Sequence, residues 1–273
     1  MIGQYYLQDR VKEFENISDV PRSMIISGDK GMGKHLFVKE FTERFEGLEI
    51  VNIEESITNE EILEIYSLSI PKFYIIDLDL IGENKRIERF QNTILKFIEE
   101  PPNWAWIIII VSDLNIVLDT IINRCQIFKM APYTISCLRQ IAEMNGKPFD
   151  DITLTILRTP GNIINTELSQ VQEIMILANK MFESLAKSTP ANVLSIRNKF
   201  FREVDPLNID IFIPAFLDVM ANNIHKVVDN EMLTKMYMTT LDLQSKLHIM
   251  NINKQHAIDN YLIKLKKIAD KAR

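Results

Sequence analysis

The sequence predicts an α/β protein in which a parallel sheet carrying a phosphate-binding loop leads into a small helical domain and then a C-terminal helical domain. Three observations predict it. The octet Gly28-Asp29-Lys30-Gly31-Met32-Gly33-Lys34-His35 lies between the apolar run Ser23–Ser27 and the helical face Leu36-Phe37-Val38, Phe41 and Phe45. Strand-like and helix-like segments alternate as far as residue 132. Beyond Pro132 the strand signal fades and amphipathic spacing takes over.

Taken in order, 23–27 reads as a buried strand, followed by the glycine loop and a helix. Glu49–Ile53 is a second strand and Asn59–Ser67 a short helix. Pro71 precedes a third strand over 72–76, which ends in Asp77. A helix over 84–100 is stopped by Pro101-Pro102, because proline lacks the amide donor and restricts the residue before it. The run Trp104-Ala105-Trp106-Ile107-Ile108-Ile109-Ile110-Val111 is too short to span a bilayer and reads as a central strand at 106–111. A helix near 118–123 and a short strand at 126–130 close this first domain, 1–132. Residues 133–188 read as short helical segments broken by the turn-forming runs Asn145-Gly146-Lys147-Pro148 and Thr159-Pro160-Gly161-Asn162. They define a small domain, 133–190. The last domain, 191–273, reads as longer amphipathic helices at 193–204, 209–227, 232–250 and 254–271, with Leu262, Leu265 and Ile268 at three- and four-residue steps.

Composition narrows the function. The chain has 273 residues, 47% of them hydrophobic and 25% charged, more than one small domain needs. Its two cysteines, Cys125 and Cys137, exclude a disulfide framework and a four-cysteine zinc site. No signal-like apolar segment opens the sequence, so the expectation is a soluble cytoplasmic protein without a membrane partner. A net charge of −6 argues against a broadly basic nucleic-acid surface. The lysines at 264, 266, 267 and 271, with Arg273, read first as a solvated helix end.

The octet has nearly every part of a phosphate-binding loop. In the pattern GxxxxGK followed by Ser or Thr, backbone N–H groups and the helix N-terminus cradle phosphates, the lysine reaches the terminal ones, and the hydroxyl ligates Mg²⁺. Gly28, Gly31, Gly33 and Lys34 fit; His35 replaces the hydroxyl, and an imidazole is a poor ligand for a hard cation. The alternative is a vestigial loop whose glycines serve only a tight turn. Asp77 closes its strand where a carboxylate would meet Mg²⁺ or nucleotide, or it is a strand-end carboxylate without a ligand. Leu78 follows it and cannot act as a base, while Asp79 has the right chemistry at a displaced position.

Three runs carry a family resemblance. Asn92-Thr93-Ile94-Leu95-Lys96-Phe97-Ile98-Glu99-Glu100-Pro101-Pro102 resembles the NxLLKxLEEPP segment of bacterial replicative clamp loaders of the AAA+ class. Thr120-Ile121-Ile122-Asn123-Arg124-Cys125-Gln126 resembles their TIxSRCQ segment, with Asn123 in place of serine. Asn251-Ile252-Asn253-Lys254-Gln255 and Ile258–Leu262 are similar to the start of their last collar helix. The overall resemblance is to delta-prime-like subunits of the DNA polymerase III clamp loader, relatives of its gamma/tau subunits. It implies an AAA+ core, a helical lid and a helical collar. It implies that Arg124 is presented to ATP held by a neighbour, where a guanidinium stabilises phosphoryl-transfer charge. It implies that Ser112 reads the terminal phosphate or orients water, unless it merely caps the following turn.

Departures from the family pattern point away from hydrolysis. Its ATPases carry an arginine after a Gly-Ser-type turn, whereas Gly161-Asn162-Ile163-Ile164 offers Ile164. With His35 and Leu78, that makes three losses in one reaction centre. The family's four-cysteine zinc module is missing between residues 46 and 70. The resemblance therefore implies a component of the polymerase III holoenzyme that binds ATP or ADP, or no longer does, without turning it over. Implied partners are gamma/tau-like and delta-like loader subunits, the sliding clamp, and primer-template DNA through the assembled complex. Two rivals stand beside it: an active loader ATPase and an AAA+-derived adaptor in DNA repair or recombination.

Overall fold

Strands with apolar residues on both faces pack in the middle of a sheet, because only there are both faces covered. In the computed structural model, which describes residues 1–81, 84–187, 206–224, 231–247 and 254–271, the sheet has five strands, and the most apolar of them lie inside it. The five are β1 (Ser23–Ser27), β2 (Glu49–Ile53), β3 (Lys72–Asp77), β4 (Ala105–Val111) and β5 (Gln126–Lys129). They form a parallel sheet in the order β2-β3-β4-β1-β5. Every residue of β1 and β4 is buried, whereas the edge strands β2 and β5 are largely exposed. All five expected strands are present. The fifth stops at Lys129 rather than at residue 130, although the Met130 N–H still donates to the Ser27 carbonyl at 2.8 Å.

Helix α1 (Tyr5–Lys12) precedes the sheet and was not legible in the sequence. The helices that follow are α2 (Lys34–Thr42), α3 (Asn59–Ser67), α4 (Asn84–Glu99) and α5 (Asp119–Ile122). The α2 face Phe37, Val38 and Phe41 is buried with Phe73, Trp106 and Phe128 of the sheet. Phe41 meets Phe14, Phe45 and Phe73 edge-on at centroid distances of 5.5–6.4 Å. Burial of each such ring contributes about 1.5–3 kcal/mol, so this cluster holds the helix that follows the loop firmly against the sheet.

The described residues gather into two compact units, Met1–Cys137 and Leu138–Arg273. The helices after the sheet are α6 (Ile135–Met144), α7 (Asp151–Leu157), α8 (Pro160–Asn165), α9 (Leu168–Lys187), α10 (Pro206–Ile224), α11 (Glu231–Leu247) and α12 (Lys254–Lys271). In the second unit α10 packs against α7, α9 and α11, and α12 against α9 and α11. A lid-like helical segment followed by a C-terminal helical bundle is therefore present. One correction concerns α9, a single helix of 20 residues where short segments were expected. No turn former interrupts 168–187, and Val171, Ile174, Ala178 and Met181 recur on one buried face. Helix α10 begins at Pro206, three residues before the expected start. The helix expected at 193–204 lies outside the described residues, as do 251–253 of the third resemblance run.

Candidate functional site

The parallel register brings the carboxyl ends of β1, β3 and β4 to one edge of the sheet. Ser27 pairs with Val111, and Asp77 with Ile110. The loop after β1, the turn after β3 and Ser112 after β4 are thereby placed together, at the edge where open α/β sheets bind ligands.

The loop has the backbone of a phosphate cradle. Gly31 and Gly33 take φ of 82° and 90°, conformations that a side chain would strain, and Gly33 is the left-handed residue from which α2 starts. The Tyr133 hydroxyl donates to the Met32 carbonyl at 2.8 Å and fixes the outer side of the loop. Lys34, in the first turn of α2, is only 5% exposed. Its ammonium donates to the Gly28 carbonyl at 2.6 Å, the Asp29 carbonyl at 3.3 Å and Ser112 Oγ at 2.8 Å, and lies 3.2 Å from Asp79 Oδ2.

Asp79 reaches this lysine because Asp77 ends β3 by capping a 3₁₀ turn, Leu78–Leu80: Asp77 Oδ1 accepts the Asp79 N–H at 2.8 Å. The turn buries Leu78 completely and swings Asp79 toward β4. There Asp79 Oδ1 accepts the Ser112 N–H at 2.7 Å and Oδ2 accepts the Ser112 hydroxyl at 2.6 Å. The carboxylate is thus occupied by one lysine and both donors of one serine, and as a water-activating base it would have to give up these partners. Ser112 is not the cap of the following turn; that part is taken by Asp113, whose side chain accepts the Asn115 N–H at 2.9 Å.

His35 and Asp77 face each other. His35 is 67% exposed, and its Nε2 lies 2.8 Å from Asp77 Oδ2. That oxygen is buried and makes no hydrogen bond of acceptable angle, so the contact is a close approach of imidazole and carboxyl rather than a directed bond. Burial raises the Asp77 carboxyl above the ordinary range; the Asp79 N–H and the nearby imidazole partly offset this. The phosphate part of a nucleotide fits the glycine backbone. A Mg²⁺ ion fits less well, because His35 holds the place of a hydroxyl ligand and stands against Asp77. Among the described residues no group of His, Cys, Asp and Glu is arranged to hold a metal ion, and no helix is long and apolar enough to cross a membrane.

Arg124 is built differently. It follows α5, donates to the Thr120 carbonyl at 2.8 Å and pairs with Glu99 Oε1 at 3.0 Å, with its side chain 42% exposed. These partners are apart from the loop cluster. Neighbouring Cys125 is largely enclosed, and burial pushes its thiol up to about 12, which keeps it protonated and unreactive. In the second unit Ile164 lies on the outer side of α8, exposed, while Ile163 is buried. The structure therefore joins Gly28, Lys34, His35, Asp77 and Ser112 with Asp79, and leaves Arg124 on separate contacts. Sequence reasoning missed Asp79 as the lysine's partner and Glu99 as the arginine's. It also missed Gln91, which donates to the Ile116 carbonyl at 2.9 Å and accepts the Leu118 N–H at 2.8 Å, tying α4 to the segment that leads to Arg124.

Comparison with known proteins gives a local family match and a broader fold match. A family model described as DNA polymerase III, delta subunit, matches residues 83–134. This span holds two of the three runs that carry the resemblance, including Glu99 and Arg124. No curated protein sequence matches the chain. Among solved structures, a variant of RuvB from Thermotoga maritima aligns over 80% of this chain and 88% of its own, at 13% identity and a TM-score of 0.52. The RuvB Holliday junction branch migration motor of the same organism aligns over the same shares at 13% identity and a TM-score of 0.49. A DNA polymerase III gamma subunit-related protein, also from Thermotoga maritima, aligns over 96% of this chain and 100% of its own at 14% identity and a TM-score of 0.46. A parallel-sheet core with a phosphate-type loop, a helical lid segment and a C-terminal helical bundle is an AAA+-type architecture, and this chain has it.

Proposed function

We propose that this chain is a delta-prime-like subunit of a clamp loader of the DNA polymerase III type, supporting ATP-dependent loading of a sliding clamp without hydrolysing ATP itself. The observation that carries the reading is the opposite treatment of two cations in one α/β unit. Lys34 is buried and already held by Asp79, Ser112 and two carbonyls, beside a histidine in place of the metal-binding hydroxyl and a leucine in place of the base. Arg124 stands half-exposed on a carboxylate and a helix carbonyl, in the segment matched by the polymerase III family model. An exposed guanidinium with a partly solvated partner can be transferred to a neighbour's phosphates at low cost. In this reading residues 133–190 serve as lid and 191–273 as collar. Arg124 acts in trans on a gamma/tau-like neighbour, and primer-template DNA is met through the assembly.

The test is reconstitution with the loader subunits and sliding clamp of the same source. Arg124→Ala should assemble normally and lower DNA-dependent ATP turnover at the site it faces by roughly 10³-fold, the low end of what trans-acting arginines contribute. Unchanged turnover would remove the trans role. Turnover by the purified chain alone, abolished by Lys34→Ala, would instead make it an active ATPase.

A further inference from the structure

In a phosphate loop the lysine is the cation that meets the terminal phosphates; here it is already paired with a carboxylate of the chain itself. Lys34 has three N–H donors and four oxygen neighbours within 3.3 Å, one of them the carboxylate of Asp79. Asp79 is held from the other side by both Ser112 donors, at 2.7 and 2.6 Å. Ser112 Oγ thus accepts from the lysine and passes its own hydrogen to the carboxylate, closing a three-membered cycle of Lys34, Ser112 and Asp79. The lysine is buried and the carboxylate is 24% exposed, so the pair sits where its attraction is only partly screened. The sequence provides this anion by moving the second acidic residue from position 78 to 79, across the 3₁₀ turn that Asp77 caps.

We propose that Asp79 is the built-in anion of this loop, taking on Lys34 the place that a terminal phosphate of a nucleoside di- or triphosphate would take, and so setting the loop's affinity for phosphate ligands. The proposal rests on the octet being a phosphate-type loop, the premise of the functional reading above. A ligand phosphate must displace Asp79 from the ammonium, or share it with a like charge. Both weaken binding relative to a loop whose lysine is free. Removing the carboxylate leaves Lys34 buried without a counter-ion, and phosphate then supplies the missing charge.

The experiment uses the full chain alone, with ADP titrated by calorimetry and inorganic phosphate by thermal shift. Asp79→Ala should bind ADP at least tenfold more tightly than the unsubstituted chain, and Lys34→Ala/Asp79→Ala should lose the gain. Asp79→Asn, which removes the charge while retaining an acceptor for the Ser112 N–H, covers the case in which the alanine variant does not fold. It should be stabilised more by millimolar phosphate than the unsubstituted chain. Equal or weaker binding by both Asp79 variants, no binding by any of them, or a gain that survives loss of Lys34 overturns the proposal. A purely architectural role for Asp79 would not tighten ligand binding. Because binding to the isolated chain is read here and turnover of an assembly there, either idea can fail while the other stands.

Discussion

Lys34 and Arg124 are two cations of the same α/β unit, and they are held in opposite ways. Lys34 opens a helix whose next turns are locked by Phe37 and Phe41, so its stem is enclosed and its ammonium faces inward onto four oxygens. Arg124 follows a four-residue helix, and its guanidinium has one carbonyl and one partly exposed carboxylate. Burial makes a charge depend on its partners, whereas exposure leaves it free to exchange them. A charged residue in a site is thus available to a ligand only in proportion to how little the fold already uses it.

Stability should separate the two cations most clearly. Lys34→Ala leaves Asp79 and two carbonyls without their donor, and should cost about 2–3 kcal/mol, below the roughly 3–5 kcal/mol of a fully enclosed pair because Asp79 keeps Ser112 and some water. Arg124→Ala should cost less than about 1 kcal/mol, as exposed pairs do. Urea denaturation of the two variants side by side decides the matter, and equal losses would erase the distinction.

A smaller effect concerns Asp77. Its carboxyl is raised by burial above the ordinary 3.8. Between 3.8 and the raised value the folded chain holds a proton that the unfolded chain has released, so stability falls as pH rises through that window. Asp77→Asn removes this penalty and keeps an acceptor for the Asp79 N–H. Its stability relative to the parent should therefore improve between pH 4 and pH 7 in paired urea titrations; a constant difference would mean that His35 fully compensates the buried charge. The smallest effect belongs to Glu99→Gln, which should change stability by no more than about 0.5 kcal/mol. A larger loss in the same assay would show Arg124 to be anchored rather than presented.

The sheet was legible because its evidence is local. Ile107 to Val111 can be buried on both faces only in a central strand, and Pro101-Pro102 stops α4 wherever the rest of the chain goes. The loop was legible for the same reason: eight consecutive residues carry it. The cycle on Lys34 was not, since its members come from three strand ends 33 to 78 residues apart, and only the register of β1, β3 and β4 brings them together. The Asp77-Leu78-Asp79 spacing was visible, but the 3₁₀ turn that converts a displaced base into a counter-ion depends on the side chain of Asp77 folding back on its own backbone. Helix α1 escaped notice because it is short, with only Leu7 and Val11 buried.

Leu78 also limits which side chains this turn can accept. It is wholly enclosed, at the position an acidic neighbour of Asp77 would occupy. A glutamate arriving there would bring an unpaired charge into apolar surroundings, at a cost that exceeds what most folds can spare. Placing an acidic pair at 77 and 78 would therefore take at least two changes, one to reshape the turn and one to bring in the charge.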